Sequence, residues 1–168
     1  MGGQAAWTRR ITTKRAGALV DLHGLRGADI LTGRNELATA IVPGFFIAKG
    51  AADEDVMIDD SGATGADILG VAIDNENRER ASGSVATGGY PINALVPYVK
   101  NGRVYVNCGS VAAKGGDVFV RFKAGTTAVI GEAYNSADTA SCDAINAKFA
   151  ETITAAGIVA IDLNLVNV

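Results

Sequence analysis

Two strand openings lie close together in this chain, Asn101-Gly102-Arg103-Val104-Tyr105-Val106 and Gly115-Gly116-Asp117-Val118-Phe119-Val120. In the first, Val104, Val106 and Cys108 fall on one side, with Arg103, Tyr105 and Asn107 on the other. In the second, Val118, Val120 and Phe122 oppose Phe119 and Arg121. Period-two alternation entered through Gly and Asn or Asp predicts half-buried antiparallel strands. The run from Gly157 to Val168 repeats the pattern, with Val159, Ile161, Leu163 and Leu165 against Asp162 and Asn164. Residues 68–73 place Leu69, Val71 and Ile73 together, and Gly70 on the other side, where there is little room for a side chain. Further strands are expected over 92–99 and 128–133, and a short one within 56–58. Over 138–156, Ala-rich spacing permits a helix, but Ile145, Ala147 and Phe149 alternate and Thr152, Ile153 and Thr154 are β-branched, which favours strand.

Short strands at intervals of roughly eight to fifteen residues, without a βαβ rhythm, predict an all-β fold: a compact antiparallel barrel or sandwich, jelly-roll-like. No internal repeat stands out. Residues 1–40 carry no sustained period; their short apolar pieces are separated by Gly17, Gly24, Gly27 and Gly33. They read as an extended N-terminal arm that orders only against something else, with a reach of about 130 Å at about 3.3 Å per residue. The body is then residues 41–168, with Pro43-Gly44 bending its entrance and polar loops over 51–67 and 74–89.

Composition agrees. The chain has 168 residues with 48% hydrophobic but only 6% aromatic, and 21 Gly, so Ala, Val, Ile and Leu must supply most of a single core. No apolar run reaches the roughly 18 residues of a membrane span, and no apolar segment follows the leading basic residues as in a secretion signal. The net charge of −3 is divided. Residues 1–34 hold six Lys or Arg against two Asp, and the remainder nine against sixteen Asp or Glu. A basic leader on an acidic body suggests two different surroundings, with an acidic protein surface a plainer partner for the leader than nucleic acid.

Catalytic vocabulary is sparse. His23, the one histidine, lies in the arm without a formed set of partners. The acidic run Asp53, Glu54, Asp55, Asp59 and Asp60 lacks the order of a calcium loop, and neither phosphate-binding glycine motif occurs. No metal and no cofactor are assigned. Gly2-Gly3-Gln4 lacks the context that the tripeptide has in peptide-release factors. Cys108 and Cys142 read as reduced, inert thiols.

Taken in order, these segments resemble the head decoration, or structural cement, proteins of tailed bacteriophages. The resemblance runs from Gly17-Ala18-Leu19-Val20-Asp21 through Thr32-Gly33-Arg34-Asn35-Glu36 and Pro43-Gly44-Phe45-Phe46-Ile47-Ala48-Lys49-Gly50 to Ile68-Leu69-Gly70-Val71-Ala72. It continues through the two strand openings to Ala156-Gly157-Ile158-Val159-Ala160-Ile161-Asp162-Leu163. Gly44-Phe45-Phe46 is bulkier than the pattern, and residues 51–67 and 74–89 follow none. The resemblance implies a non-enzymatic virion protein, made in the host cytoplasm. It would bind the outer surface of a head and stabilise contacts between major capsid subunits, as a homo-oligomer (dimer or trimer), with no nucleic acid or membrane partner. Within the arm, Trp7, Arg9, Arg10, Lys14, Arg15, Asp21 and Arg34 are the candidate partner-binding residues. Two other readings compete: a carbohydrate or host-surface binding β module that uses the polar loops, and a hydrolase using Asp59 with Asp60 or Glu76 with Glu79.

Overall fold

The structure, a computed structural model, describes residues 14–20, 30–36, 40–52, 55–57, 68–74, 89–122, 129–137 and 142–165. These contain strands and no helix: β1 (Ile30–Asn35), β2 (Phe46–Lys49), β3 (Asp55–Met57), β4 (Ile68–Ala72), β5 (Leu95–Val99), β6 (Asn101–Cys108), β7 (Asp117–Arg121), β8 (Ala133–Tyr134), β9 (Cys142–Phe149) and β10 (Gly157–Asn164). The all-β expectation holds. The alternating segments bury the predicted faces: Val104, Val106, Val118, Val159 and Ile161 are fully enclosed, while Arg103 and Asp162 face water. Within 138–156 the favoured strand is present as β9, over Cys142–Phe149.

The strands close into two five-stranded barrels, in the orders β1-β3-β2-β4-β5 and β10-β6-β8-β7-β9. Numbered from its own first strand, the second barrel repeats the first. In each, strand one pairs in parallel with strand three (Arg34 with Asp55; Cys108 with Ala133), and every other pairing is antiparallel. Smaller features repeat as well. An isolated bridge links the connection before strand two to the connection before strand five, Ile41 with Tyr90 and Ala112 with Ile153. Three residues after the first bridge partner comes a left-handed glycine, Gly44 (φ 84°) or Gly115 (φ 82°). Its N–H donates to the last residue of strand four, the Ala72 carbonyl at 2.7 Å or the Phe149 carbonyl at 2.7 Å. The register between strands two and four slips in both barrels.

Only Lys100 separates the barrels along the chain, and they pack as one body. The interior of the first holds Ile41, Ile47, Ala72, Tyr90, Val96 and Tyr98. Phe46, Val71, Ile73 and Val99, from its outer side, merge with the whole interior of the second into one larger core. The slip between Ile47 and Ala48, where Ile68 and Gly70 are successive partners, breaks the simple alternation expected over residues 68–73. Leu69 therefore packs on the smaller cluster, while Val71 and Ile73 join the larger one. Gly70 is as tight as expected, since a Cβ there would lie 2.4 Å from the Val99 carbonyl oxygen.

Two pieces of the leading segment belong to the sheets. Residues 30–35 are β1, paired with β5 from Ile30–Val99 to Arg34–Leu95. Residues 17–20 run antiparallel along β6, with Leu19 opposite Val104. A broken apolar pattern sufficed in both places because each segment borrows its partner from the body rather than folding on itself.

Candidate functional site

Residues 14–20 form a strap laid from barrel to barrel. The Gly17 and Val20 N–H groups donate to the carbonyls of Tyr105 (2.8 Å) and Arg103 (3.0 Å), and the Tyr105 N–H donates back to Ala18 at 2.9 Å. On the first barrel, the Asp74 N–H donates to the Gly17 carbonyl at 3.0 Å. The strap crosses the Pro43-Gly44 turn without clearance. Gly17 is left-handed (φ 77°), a Cβ on it would lie 2.6 Å from Pro43 Cβ, and one on Gly44 would lie 2.5 Å from Ala16 Cβ. Glycine is needed at both crossing points.

Charge fixes the start of the strap. Lys14 Nζ lies 2.7 Å from Glu151 Oε1, which also accepts the Ala160 N–H at 2.9 Å. Burial alone would raise the Glu151 pKa, but these two hydrogen bonds and the Lys14 charge outweigh it and hold the carboxyl below its ordinary value. Arg15 pairs with Asp74. Lys14 and Arg15, expected to reach a partner, thus engage carboxylates of their own body; Asp74 and Glu151 are distant in sequence, so no local pattern announces the pairs. Arg34 sits exposed near the end of β1. Trp7, Arg9, Arg10 and Asp21 lie outside the described residues, as do His23, Asp59, Asp60, Glu76 and Glu79.

One polar grouping in the second barrel joins β7 to β8 and the residue before it. The Arg121 guanidinium lies 5.4 Å over the Tyr134 ring and Tyr134 donates to Glu132 at 3.3 Å. Burial raises the Glu132 pKa despite that bond, and burial likewise raises the Cys108 thiol. Both cysteines are free and buried. A protonated, enclosed thiol is a poor nucleophile. Among the described residues no three His, Cys, Asp or Glu side chains gather closely enough to hold a metal ion, and no helix is long and apolar enough to cross a membrane.

The first barrel exposes apolar side chains on β1 and at the entrance to β5. Ile30 and Leu31 are each 45% exposed on β1, and Ile92 (49%) and Leu95 (68%) flank the turn that enters β5. That turn is held from within: Asn35, fully buried, donates from Nδ2 to the Tyr90 carbonyl at 2.9 Å, and Tyr90 donates its hydroxyl to the Ile73 carbonyl at 2.7 Å. Asn93 completes it in the left-handed region (φ 64°). Rigid backbone therefore presents Ile92 and Leu95 outward, a surface that sequence alone did not single out.

These features define an all-β body of two packed barrels. The sequence matches the family of structural cement proteins described by E217 gp24 and Pam3 gp6 over residues 12–164, and the chain belongs to that family of phage structural proteins. A search of curated proteins returned no match. Among solved structures, a chain from the capsid of Myoviridae Phage XM1 has the same fold, with a TM-score of 0.69 at 17% identity over 98% of each chain.

Proposed function

We propose that this protein binds the outer surface of a phage head and stabilises contacts between major capsid subunits, without catalysis. The observation that carries the reading is the family match over residues 12–164. The strap supports it indirectly: a body closed by its own leading segment is stiff before it binds, which lowers the ordering cost of attachment. Many copies on a symmetric shell would multiply modest contacts by avidity. In this reading residues 1–40 are tethered to the body at 14–20 and 30–35, and Trp7, Arg9 and Arg10 are the arm residues offered to neighbouring shell subunits. Self-association as a dimer or trimer suits the symmetry axes of a shell.

The test is quantitative protein analysis of purified particles, followed by rebinding of purified protein to heads stripped of it. Near-stoichiometric amounts with the major capsid protein, and saturable rebinding to expanded heads, are expected. Absence from purified particles would end the reading.

A further inference from the structure

The repeated topology makes one difference between the barrels informative. The pairing of strand one with strand three sets Asn35 equivalent to Cys108, and the pairing with strand five sets residues 30, 31 and 32 equivalent to Arg103, Val104 and Tyr105. In the second barrel this stretch is covered by residues 17–20 of the strap, and Val104 is fully enclosed. In the first barrel no described segment lies along it, and Ile30 and Leu31 are each 45% exposed.

The backbone there faces outward. Thr32 lies opposite Pro97, which has no N–H and whose carbonyl accepts from Ile73 at 2.9 Å. The N–H and C=O of Thr32 consequently point away from β5, as those of Tyr105 point away from β10 toward Ala18 and Gly17. A sheet edge that no described segment covers, carrying apolar side chains, is a template for an added strand.

We propose that the outer edge of β1 at residues 30–32 receives an extended apolar segment of the shell's major subunit as an added antiparallel strand; this rests on the head-binding reading above. The strap supplies the chemistry of the occupant. It is three or four extended residues, with a branched apolar side chain over Leu31 where Leu19 covers Val104, and with small neighbours such as Gly17 and Ala18 provide. The shell is favoured over a second copy by size: a stable pair in solution buries about 800 Å² on each partner, far more than a three-residue edge offers. A lattice compensates by presenting the segment many times.

The test combines two variants with amide exchange on the intact protein, free and bound to expanded heads. Leu31→Lys adds charge at an exposed position, and Thr32→Pro removes the outward N–H while leaving the β1–β5 hydrogen bonds in place. Each is expected to keep the circular dichroism of the parent and to lose at least tenfold in head affinity, and the Thr32 amide should slow at least tenfold on the head. Should Thr32→Pro misfold, Leu31→Lys and the amide exchange decide alone. Folded Leu31→Lys binding heads like the parent, or unchanged exchange at Thr32, overturns the inference while leaving head binding intact. A parent that self-associates in solution, and becomes monomeric on Leu31→Lys, overturns it in favour of a second copy. A parent that fails to bind heads removes the proposed function itself, and this inference with it.

Discussion

The two barrels share a strand order but present opposite outer faces, and equivalent pairs show why. Phe46 with Val71 in the first barrel corresponds to Asp117 with Lys148 in the second, and Ile30 with Val99 to Arg103 with Asp162. The first barrel turns this side toward its neighbour, so Phe46, Val71 and Val99 are buried. The second turns it to water, and its residues form ion pairs, Lys148–Asp117 at 2.6 Å and a two-pronged Arg103–Asp162 contact at 2.6 and 2.8 Å. One backbone pattern thus serves as core in one place and as solvated surface in the other. What decides is the environment of the face, not the strand itself.

The widest separation is expected between members of one equivalent pair. Phe46→Ala should cost about 3–5 kcal/mol, because it empties a fully buried ring site between the barrels. Asp117→Ala should cost less than about 1 kcal/mol, since both members of its ion pair are more than half exposed. Denaturant midpoints of the two variants measure the difference directly. Similar midpoints would mean that the barrels do not share a core. Both halves should also unfold in a single transition, because the larger core draws on each.

Asn35 and Cys108 sharpen the comparison inside the barrels. Both are buried on strand one beside strand three, but Asn35 holds the Tyr90 carbonyl while Cys108 makes a longer contact to the Ser110 carbonyl at 3.3 Å. Asn35→Ala should destabilise by about 1–2 kcal/mol, since it removes a buried hydrogen bond and the side chain that fills its site, although the Tyr90 carbonyl keeps the Ile41 N–H at 3.0 Å. Cys108→Ala should do less. Amide exchange in the turn at residues 91–94 should accelerate only in the Asn35 variant, and equal acceleration in both would deny Asn35 its role as a clamp.

How much of this was legible follows from where each signal resides. The second barrel was readable from local alternation, since Val104, Val106, Val118, Val120, Val159 and Ile161 lie at period two within single strands. β1 was not, because Gly33 interrupts it and Ile30 and Leu31 remain exposed, so no buried face marks the segment. The repeat was hidden for a stronger reason. Equivalent interior sites carry different volumes, Ala72 against Phe149, Tyr90 against Ile153 and Tyr98 against Ile161. Identical stretches do occur, but out of register with the repeat: Gly27-Ala28-Asp29-Ile30-Leu31 and Gly65-Ala66-Asp67-Ile68-Leu69 lead into β1 and β4, and Val71-Ala72-Ile73-Asp74 and Val159-Ala160-Ile161-Asp162 fall on β4 and β10, which are not equivalent. The pairing of the strap's basic residues with Glu151 and Asp74 was not legible, because charge composition does not show which distant carboxylates the fold brings to Lys14 and Arg15.

The turn glycines separate local strain from loss of the strap. Gly44 and Gly115 occupy equivalent left-handed positions, and a Cβ on Gly115 would meet nothing within 4 Å, whereas one on Gly44 would collide with Ala16 and Gly17. Gly115→Ala should cost only about 1–2 kcal/mol for the left-handed backbone. Gly44→Ala should cost more, and should in addition expose residues 14–20 to protease. Equal costs with no new cleavage would show that the strap does not bear on that turn.

The smallest effect belongs to the ion pair at the start of the strap, and its sign can be worked out. The Glu151 carboxyl in the folded protein is held below its ordinary 4.5. Its ionised form is therefore the one favoured by folding, and its stabilising contribution is complete above the unfolded value and declines as pH falls through the lower folded one. Side chains that are 45% and 30% exposed screen the pair, so the contribution should stay within about 1 kcal/mol. Protease cleavage within residues 14–20, measured from pH 7 downward, should rise only below about pH 4.5, the ordinary carboxylate range. Glu151→Gln should show the raised cleavage already at pH 7 and no further increase from this site on acidification. The change keeps a side-chain oxygen for the Ala160 N–H while removing the charge that faces Lys14, so a shift in cleavage reports the ion pair and not a lost backbone hydrogen bond. Cleavage identical in parent and Glu151→Gln at pH 7 would show that the strap is held by its backbone bonds to β6 and Asp74 and by the Arg15–Asp74 pair, with Lys14 contributing nothing to its closure.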